Sequence, residues 1–233
     1  MKKGLVSITF RKYGVEKIVD ICKQAGLQYI EWGGDVHVPS GDTSAAGKAA
    51  KLCADNRLIP VGYGSYYNAA DGFSAFLPAL ESAKTLGAQY IRIWAGRSRE
   101  YDQSDADNIK KAVTEAKRYG VAVSLECHRK TMTENVDNAL RLSEECGCLL
   151  HFQPNPDISH KENLRILQKT KPYLCACHVF AWDKGDIRLP LSAHAGRWSE
   201  YAAAAGDVPF LLEFVQNDSE TSLCIDAKTL GNL

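Results

Sequence analysis

Eight short apolar runs, each typical of a buried strand, recur along the 233-residue chain and alternate with segments of helical periodicity. An apolar run without polar alternation marks a strand that is buried on both faces, as in a parallel sheet. The runs start 24 to 35 residues apart, which is the length of one strand-helix unit. They cover residues 5–10, 29–34, 59–65, 90–96, 121–128, 149–155, 174–182 and 209–215.

Helical patterns lie between these runs, and several of them end at a glycine. The patterns cover residues 15–26, 45–56, 73–87, 105–120, 133–147 and 160–170. Gly26, Gly87, Gly120 and Gly147 each follow a helical pattern, where glycine in the left-handed conformation commonly caps a helix.

Eight strand-helix units in one continuous domain, residues 1–233, predict an α/β fold, a single (β/α)8 TIM barrel. A doubly wound sheet is the alternative. Eight is the number of units that closes a barrel, and no G-x-G-x-x-G motif follows the first run. The glycines at 62 and 64, in VGYGS, are interpreted as a turn at the end of a strand.

The charge of the chain excludes some classes of partner. Twenty-eight basic residues balance 28 acidic ones, so no overall field attracts nucleic acid or an anionic membrane. The N-terminal apolar run is too short for a signal peptide or a membrane span. We therefore expect a cytoplasmic protein whose partner is a small molecule, not a nucleic acid or a membrane.

Four of the apolar runs each contain one polar side chain that can bind a metal ion. These residues are Glu126, Gln153, His178 and Glu213. Placing a charge inside a buried strand costs several kcal/mol unless the charge is paired or bound to a metal. The pattern therefore indicates a functional site.

The alternation of side chains along a strand predicts which of them enter the lumen of the barrel. All four residues fall on the lumen side, near the C-terminal ends of their strands, where active sites of this fold lie. In the first half of the chain, the same assignment places Ser7, Thr9, Glu31, Tyr63, Arg92 and Trp94 inward and Val6, Ile8 and Trp32 outward. In the second half, it places His128 and His151 inward and Cys175 and Phe214 outward.

Two carboxylates, an imidazole and an amide oxygen suit Mn²⁺, Mg²⁺ or Co²⁺ better than Zn²⁺. Such an ion polarises the carbonyl and hydroxyl oxygens of a sugar while a nearby carboxylate removes a proton from carbon. Glu126 and Glu213 come from different strands and could lie on opposite faces of the substrate, which permits epimerisation as well as isomerisation.

The sequence also resembles the xylose-isomerase-like barrels, which include sugar phosphate isomerases and epimerases, ketose 3-epimerases, hydroxypyruvate isomerase and inosose dehydratase. The resemblance spans nearly the whole chain through LVSITF, IEWGGDVHVP, SLECH, FQPNPD, HVFAW and LLEFV. It implies that a Glu, Asp, His, Glu quartet on strands five to eight holds a divalent metal and that the two glutamates serve as acid and base. Residue by residue, it implies Glu126, His178 and Glu213, with Gln153 at the position of the aspartate.

Gln153 is a departure from the family pattern. A glutamine can bind a metal through its amide oxygen but brings no negative charge, so the site would hold an ion less tightly and its occupancy is open. Asp157, four residues further on, is a candidate substitute ligand.

Candidate substrate contacts come from the lumen, the loops and the resemblance. Tyr63, Arg92, Trp94 and His128 share the lumen side, and the resemblance implies a substrate contact for His37. Arg188 lies in a long charged loop, residues 183–198, which also contains Lys184, His194 and Arg197. This loop could hold a phosphate or carboxylate end of the substrate, or could be a solvated lid.

The predicted function is a metal-dependent isomerase or epimerase of a sugar, sugar phosphate or cyclitol, acting through an enediolate. A dehydratase or lyase on the same site is an alternative, because it shares the removal of the proton. A catalytically silent sugar-binding barrel is a further alternative, supported by the neutral Gln153. An abasic-site endonuclease would need a three-zinc cluster with many more histidines and a basic face for DNA. The chain has six histidines, two of them (His151 and His160) away from the required strand ends, and its net charge is zero, so this function is disfavoured. Barrels of this family often associate into homo-oligomers, and nothing in the sequence fixes a number.

Overall fold

A closed barrel of eight parallel strands forms the centre of the molecule, as the computed structural model of residues 1–233 shows. The last barrel strand pairs with the first, with Leu5 beside Leu212, so the predicted (β/α)8 barrel is confirmed. The barrel strands are β1 (Lys2–Val6), β2 (Tyr29–Gly33), β3 (Ile59–Asn68), β4 (Tyr90–Trp94), β5 (Ala122–Glu126), β6 (Leu149–Phe152), β7 (Leu174–Val179) and β10 (Pro209–Leu212).

Eight helices surround the barrel, and a small antiparallel hairpin follows β7. The hairpin consists of β8 (Ala181–Asp183) and β9 (Ile187–Leu189). The helices are α1 (Val15–Gln24), α2 (Thr43–Asp55), α3 (Phe76–Leu86), α4 (Gln103–Lys117), α5 (Val136–Cys146), α6 (His160–Thr170), α7 (Ala195–Ala205) and α8 (Glu220–Gly231). None of these helices has both the length and the apolar character that crossing a membrane requires.

The helix ends use the local signals that the sequence contains. Side-chain oxygens of Asp42, Asp102, Asn135 and Ser159 accept the backbone N–H groups that open α2, α4, α5 and α6, which is the usual N-cap arrangement. The four predicted glycine caps are confirmed, because Gly26, Gly87, Gly120 and Gly147 all have positive φ.

Several predicted boundaries differ from the structure. Residues 7–10 form a single 3-10 turn instead of the end of a strand, and most of the other strands end earlier than predicted. The loop predicted over 183–198 contains most of the hairpin and the start of α7. Helices α7 and α8 are not among the predicted helical patterns, and the inner face of α8 includes the polar Asp226, which weakens its apolar pattern.

A small apolar cluster fills the lower part of the lumen, and a much larger one lies between the strands and the helices. The lumen cluster consists of Val6, Ile8, Val61, Tyr90, Ala176 and Leu211. The predicted inward side is confirmed on β4, where Arg92 and Trp94 line the cavity and share a face with Tyr90. It is wrong on β1 and in the turn that follows, where Val6 and Ile8 point inward while Ser7 and Thr9 accept the N–H groups of Gly33 and Phe214.

Two irregularities in strand pairing explain the other misassigned faces. The pairing of β2 with β3 shifts between Ile30 and Glu31, and that of β6 with β7 shifts between Leu150 and His151. A bulge adds one residue to a strand and reverses the alternation beyond it. As a result Tyr63 packs in the outer cluster, whereas Cys175 packs against the lumen cluster.

Gly62 and Gly64 are part of β3 and not of a turn at its end. A Cβ atom on Gly62 would collide with the ring of Tyr90, and one on Gly64 would lie 2.6 Å from Nη2 of Arg92. These glycines therefore leave the space in the lumen that the large side chains of β4 occupy.

Candidate functional site

A cavity of about 630 Å³ opens at the C-terminal ends of the barrel strands. Its size is within the range of small-molecule sites. Arg92, Trp94, Glu126, Gln153 and Glu213 reach it from the ends of four strands. The position agrees with the general location of active sites in this fold.

Glu126, the last residue of β5, is held as an anion at the floor of the cavity. Its Oε2 accepts a hydrogen bond from Nη1 of Arg92 and one of 2.6 Å from Nε1 of Trp94. Burial opposes ionisation, but Arg92, His178 and His128 outweigh it and keep the pKa of Glu126 below its usual value. One oxygen of this carboxylate is thus fixed, and Oε1 is the atom left for a ligand.

Glu213, just after β10, is also buried but lies in a different electrostatic environment. Burial raises the pKa of Glu213 above its usual 4.5, and the charges of Glu126 and Glu31 add to the rise against the opposing effect of His178. No arginine or lysine forms an ion pair with it. The two glutamates of the floor therefore have pKa values shifted in opposite directions, which is a signature of acid-base pairs.

His178 on β7 lies between these carboxylates. Its Nδ1 is 3.5 Å from Oε2 of Glu213 and 4.0 Å from Oε1 of Glu126. This nitrogen is buried and makes no hydrogen bond. A buried polar atom without a partner is costly, so a ligand at this point would satisfy it.

Gln153 and Asp157, the two remaining candidate metal ligands, make different contacts. The amide nitrogen of Gln153 donates to the carbonyl of Cys127 at 3.2 Å, which leaves the amide oxygen as the acceptor. Asp157 forms an ion pair of 3.1 Å with Arg129 at the rim instead of reaching the floor.

The charges below the cavity fit a divalent cation. Three buried carboxylates, Glu31, Glu126 and Glu213, face a single guanidinium, that of Arg92. Two negative charges are therefore uncompensated when all three are ionised. Oxygen and imidazole donors of this kind suit Mn²⁺, Mg²⁺ or Co²⁺.

A second donor set lies deeper in the lumen. Glu31, His151 and His178 are fully buried, and one ligand atom from each lies within 4.8 Å of the others, so this triad could also bind a metal. The sequence placed Glu31 and His151 inward but gave them no role in the site. The alternation of side chains along β6 places His151 on the same side as Gln153, and this pattern could have identified His151 as a site residue.

The substrate contacts proposed from the sequence separate into two groups. Trp94, His128 and Arg92 line the cavity. Tyr63 does not, because it is buried and donates to the carbonyl of Val38 at 2.9 Å. Arg188 lies beside the cavity, where it pairs with Asp218.

Phe214 is a cavity residue that the sequence assigned to the outer face. Its backbone has φ of 47°, and its N–H donates to Oγ1 of Thr9 at 3.1 Å. A positive φ is unfavourable for an aromatic residue and ends the strand alternation. The ring consequently lies at the cavity, with the guanidinium of Arg188 4.9 Å from its centre.

The rim is closed by the hairpin and the preceding loops. Arg129 pairs with Asp157 after β6 and, at 2.9 Å, with Asp186 at the tip of the hairpin. Trp182 of β8 forms part of the cavity wall. The loop predicted over 183–198 therefore does cover the mouth of the barrel.

His37 is buried outside the cavity. Its Nε2 donates to the carbonyl of Tyr13 at 3.1 Å, and its Nδ1 lies 2.9 Å from the hydroxyl of Ser7. That hydroxyl oxygen also accepts the N–H of Gly33, so its proton points to Nδ1. These contacts describe a neutral imidazole that ties β1 to the loop after β2.

A dependence of stability on pH follows from His37. Burial lowers the pKa of His37 below its usual 6.5, so the unfolded chain binds this proton more readily than the folded one. The contribution to stability is complete above pH 6.5 and is lost as the pH falls toward the folded pKa. In urea titrations at pH 7.5 and 5.5, we expect the parent to lose more unfolding free energy than His37→Gln. Equal losses in the two proteins would contradict this assignment.

The sequence matches the family model described as xylose isomerase-like TIM barrel over residues 19–210. None of the curated proteins matches the sequence significantly.

Solved structures similar to this chain cover nearly all of it. A probable 3-DHS dehydratase of Bacillus anthracis is 18% identical, with 100% of this chain and 99% of that chain covered and a TM-score of 0.81. A 3-keto-D-glucoside 4-epimerase of E. coli is 14% identical, with both chains covered to 100% and a TM-score of 0.74. A xylose isomerase-like TIM barrel protein of Mycobacterium smegmatis in complex with magnesium is 13% identical, with 97% and 94% covered and a TM-score of 0.68.

Proposed function

The chain belongs to the xylose isomerase-like TIM barrel family, and on this premise we propose that it moves a proton next to the carbonyl of an uncharged sugar or cyclitol, as an isomerase or epimerase. One observation carries the proposal. Glu126 and Glu213 lie within 4.0 Å of the same unpartnered nitrogen of His178, at the floor of a cavity of suitable size, and their pKa values are shifted in opposite directions.

Glu213 is the better candidate for moving the proton. A group whose pKa is raised toward the working pH exchanges a proton with carbon at a lower free-energy cost. Glu126 is held as an anion by Arg92 and Trp94, so it can accept a hydrogen bond from a substrate hydroxyl and hold that hydroxyl in place. The two glutamates come from different strands, an arrangement that permits proton delivery to either face of a substrate carbon.

The residues that would hold a divalent ion are Glu126, His178 and Glu213, with the amide oxygen of Gln153. A bound Mn²⁺, Mg²⁺ or Co²⁺ would polarise the carbonyl and hydroxyl oxygens of the substrate and stabilise the negative charge left when carbon loses its proton. The excess of carboxylates over cations supports this set. The magnesium complex of the Mycobacterium smegmatis protein is a similar fold with such an ion.

The charges of the cavity favour a substrate without a phosphate. Four arginines line the cavity, and each already pairs with a carboxylate; no lysine lines it. The pairs are Arg11 with Asp35, Arg92 with Glu31 and Glu126, Arg129 with Asp157 and Asp186, and Arg165 with Glu162. Trp94, Trp182 and Phe214 supply apolar faces against which a sugar ring can pack.

We therefore expect free ketoses and inososes to be better substrates than their phosphates. A phosphate in this cavity would find no arginine or lysine free of a carboxylate partner, and a penalty above about 1.4 kcal/mol corresponds to more than a tenfold lower kcat/KM. Steady-state kinetics on matched pairs of free and phosphorylated sugars measures the ratio. A phosphate ester with the higher kcat/KM would show that the substrate is anionic.

A dehydratase is the second candidate, favoured by the likeness to the probable 3-DHS dehydratase of Bacillus anthracis. Loss of a proton next to a carbonyl is common to both reactions, and they differ in whether a neighbouring hydroxyl then leaves. Mass spectrometry separates them, because an isomer keeps the mass of the substrate and a dehydrated product is lighter by one water.

A further inference from the structure

One carboxylate lies beneath the floor of the cavity and contacts several of its groups. Glu31 on β2 is fully buried. Its Oε1 accepts from Nε of Arg92 at 2.8 Å, and its Oε2 accepts from the hydroxyl of Tyr90 at 2.9 Å. Nε2 of His178 is 3.4 Å from Oε2, and Nε2 of His151 is 3.3 Å from the same oxygen.

We propose that Glu31 is a positioning residue that holds hydrogen on Nε2 of His178, so that Nδ1 is the nitrogen left to bind an ion between Glu126 and Glu213. The proposal rests on the proposed function, because it explains how that site obtains a ligand nitrogen. Glu31 does not touch the cavity, and it acts through His178 and Arg92.

The donors around Glu31 determine the tautomer. An ionised carboxylate only accepts hydrogen bonds, so the ring nitrogen of His178 that faces it must carry hydrogen. Nδ1, which lies 3.5 Å from Oε2 of Glu213 and makes no hydrogen bond, is then the ring nitrogen whose lone pair an ion would take. A carboxylate behind a histidine commonly orients that histidine toward a metal.

The same logic applies to His151. Its Nδ1 lies 2.6 Å from the hydroxyl of Ser124, which can donate to it, so its Nε2 carries the hydrogen that faces Glu31. The Nε2 atoms of both imidazoles thus lie beside one carboxylate oxygen, that of His151 at 3.3 Å without a hydrogen bond. This arrangement accounts for the Glu31, His151 and His178 triad without an ion in the lumen.

Contact with Arg92 extends the role of Glu31. The guanidinium of Arg92 donates a hydrogen bond to Glu31 through Nε and to Glu126 through Nη1. The missing side chain of Gly64 makes room for this pair, because a Cβ there would lie 3.0 Å from Oε1 of Glu31. Glu31 thus supports both Glu126 and His178 from below.

NMR of the histidine ring nitrogens tests the proposal without a metal or a substrate. In the metal-free parent, two-bond ¹⁵N–¹H spectra should show hydrogen on Nε2 of His178. In Glu31→Gln, whose amide can donate as well as accept, we expect part or all of this hydrogen to leave Nε2. An unchanged His178 in the variant, or a bare Nε2 in the parent, would overturn the proposal.

Binding of Mn²⁺, followed by electron paramagnetic resonance, is the second readout. Loss of an outer carboxylate typically weakens metal binding about 10- to 100-fold, and we expect a change of this size in Glu31→Gln. Asp226→Asn is the matched control, because it removes another buried carboxylate, on α8, that bonds only to the N–H of Leu191. An affinity in Glu31→Gln within twofold of the parent would count against the positioning role.

Two further results distinguish the positioning role of Glu31 from metal binding in the deeper triad and from the metal in the proposed function. If the ion occupied the deeper triad, His151→Gln would weaken Mn²⁺ binding as much as Glu213→Gln does, and the positioning role would fail. If the parent bound no Mn²⁺ while Glu31→Gln still altered the tautomer of His178, the metal in the proposed function would fail and the positioning role would stand.

Discussion

Glu213→Gln is expected to lower kcat by a factor of about 100 to 10,000, the usual contribution of a positioned acid or base. The amide has the shape of the carboxyl group but cannot move a proton. The amide also removes a negative charge that burial and the charge of Glu126 disfavour at this position, as the raised pKa of Glu213 indicates. The fold should therefore tolerate the change, and the loss should appear in the kinetics.

The matched control is Glu81→Gln, the same substitution at a surface carboxylate that pairs with Lys84. Both variants should give thermal unfolding curves close to that of the parent, and only Glu213→Gln should lose turnover. Should Glu213→Gln retain more than half of the parental kcat, the proton must be moved by another group.

Arg92→Leu is expected to have the largest effect on stability. Arg92 is the only cation that contacts the buried Glu31 and Glu126, and removing one partner of a buried ion pair costs about 3–5 kcal/mol. Urea unfolding at neutral pH measures this loss of unfolding free energy. A decrease below about 1 kcal/mol would show that the two carboxylates are compensated in another way.

Arg92→Lys serves as the comparison for that experiment. A lysine keeps the charge but lacks the planar fork that bonds to two carboxylates at once. Its unfolding free energy should therefore lie between those of the parent and Arg92→Leu. A lysine variant as unstable as the leucine variant would indicate that geometry matters more than charge at this position.

Much of this architecture could be predicted from local patterns in the sequence. Apolar runs alternating with helical periodicity fix the order of strands and helices, and the glycines at helix ends mark where each unit stops. Parity then brings Glu126, Gln153 and Glu213 to the same rim, because a strand places every second side chain on one face.

What the sequence could not reveal depends on single residues that break the alternation. The shift beside Val61 moves Tyr63 outward, and the shift beside Cys175 turns that thiol inward. The positive φ of Phe214 brings an aromatic ring into the cavity. No periodicity announces a bulge, since it arises from how two strands distant in sequence fit together.

Ion pairing was the other feature beyond the reach of the sequence. The sequence makes Arg92 a candidate substrate contact, and only its distance from Glu31 and Glu126 identifies the pairing. His37, expected to contact substrate, proves to have both ring nitrogens engaged by Ser7 and Tyr13. Choices of this kind depend on angles between loops, which local sequence does not encode.

Deuterium exchange is the most direct measurement of the central claim, that Glu213 moves a proton next to a carbonyl while Glu126 and a divalent ion hold the oxygens of the substrate. The parent, loaded with Mn²⁺, would be incubated in D₂O with a panel of free ketoses and inososes and followed by NMR. The account predicts deuterium at a carbon next to the carbonyl of at least one compound, with little exchange after chelation or in Glu213→Gln. A parent protein that binds such a compound at the cavity but never exchanges its C–H protons would contradict the account and identify a sugar-binding barrel without turnover.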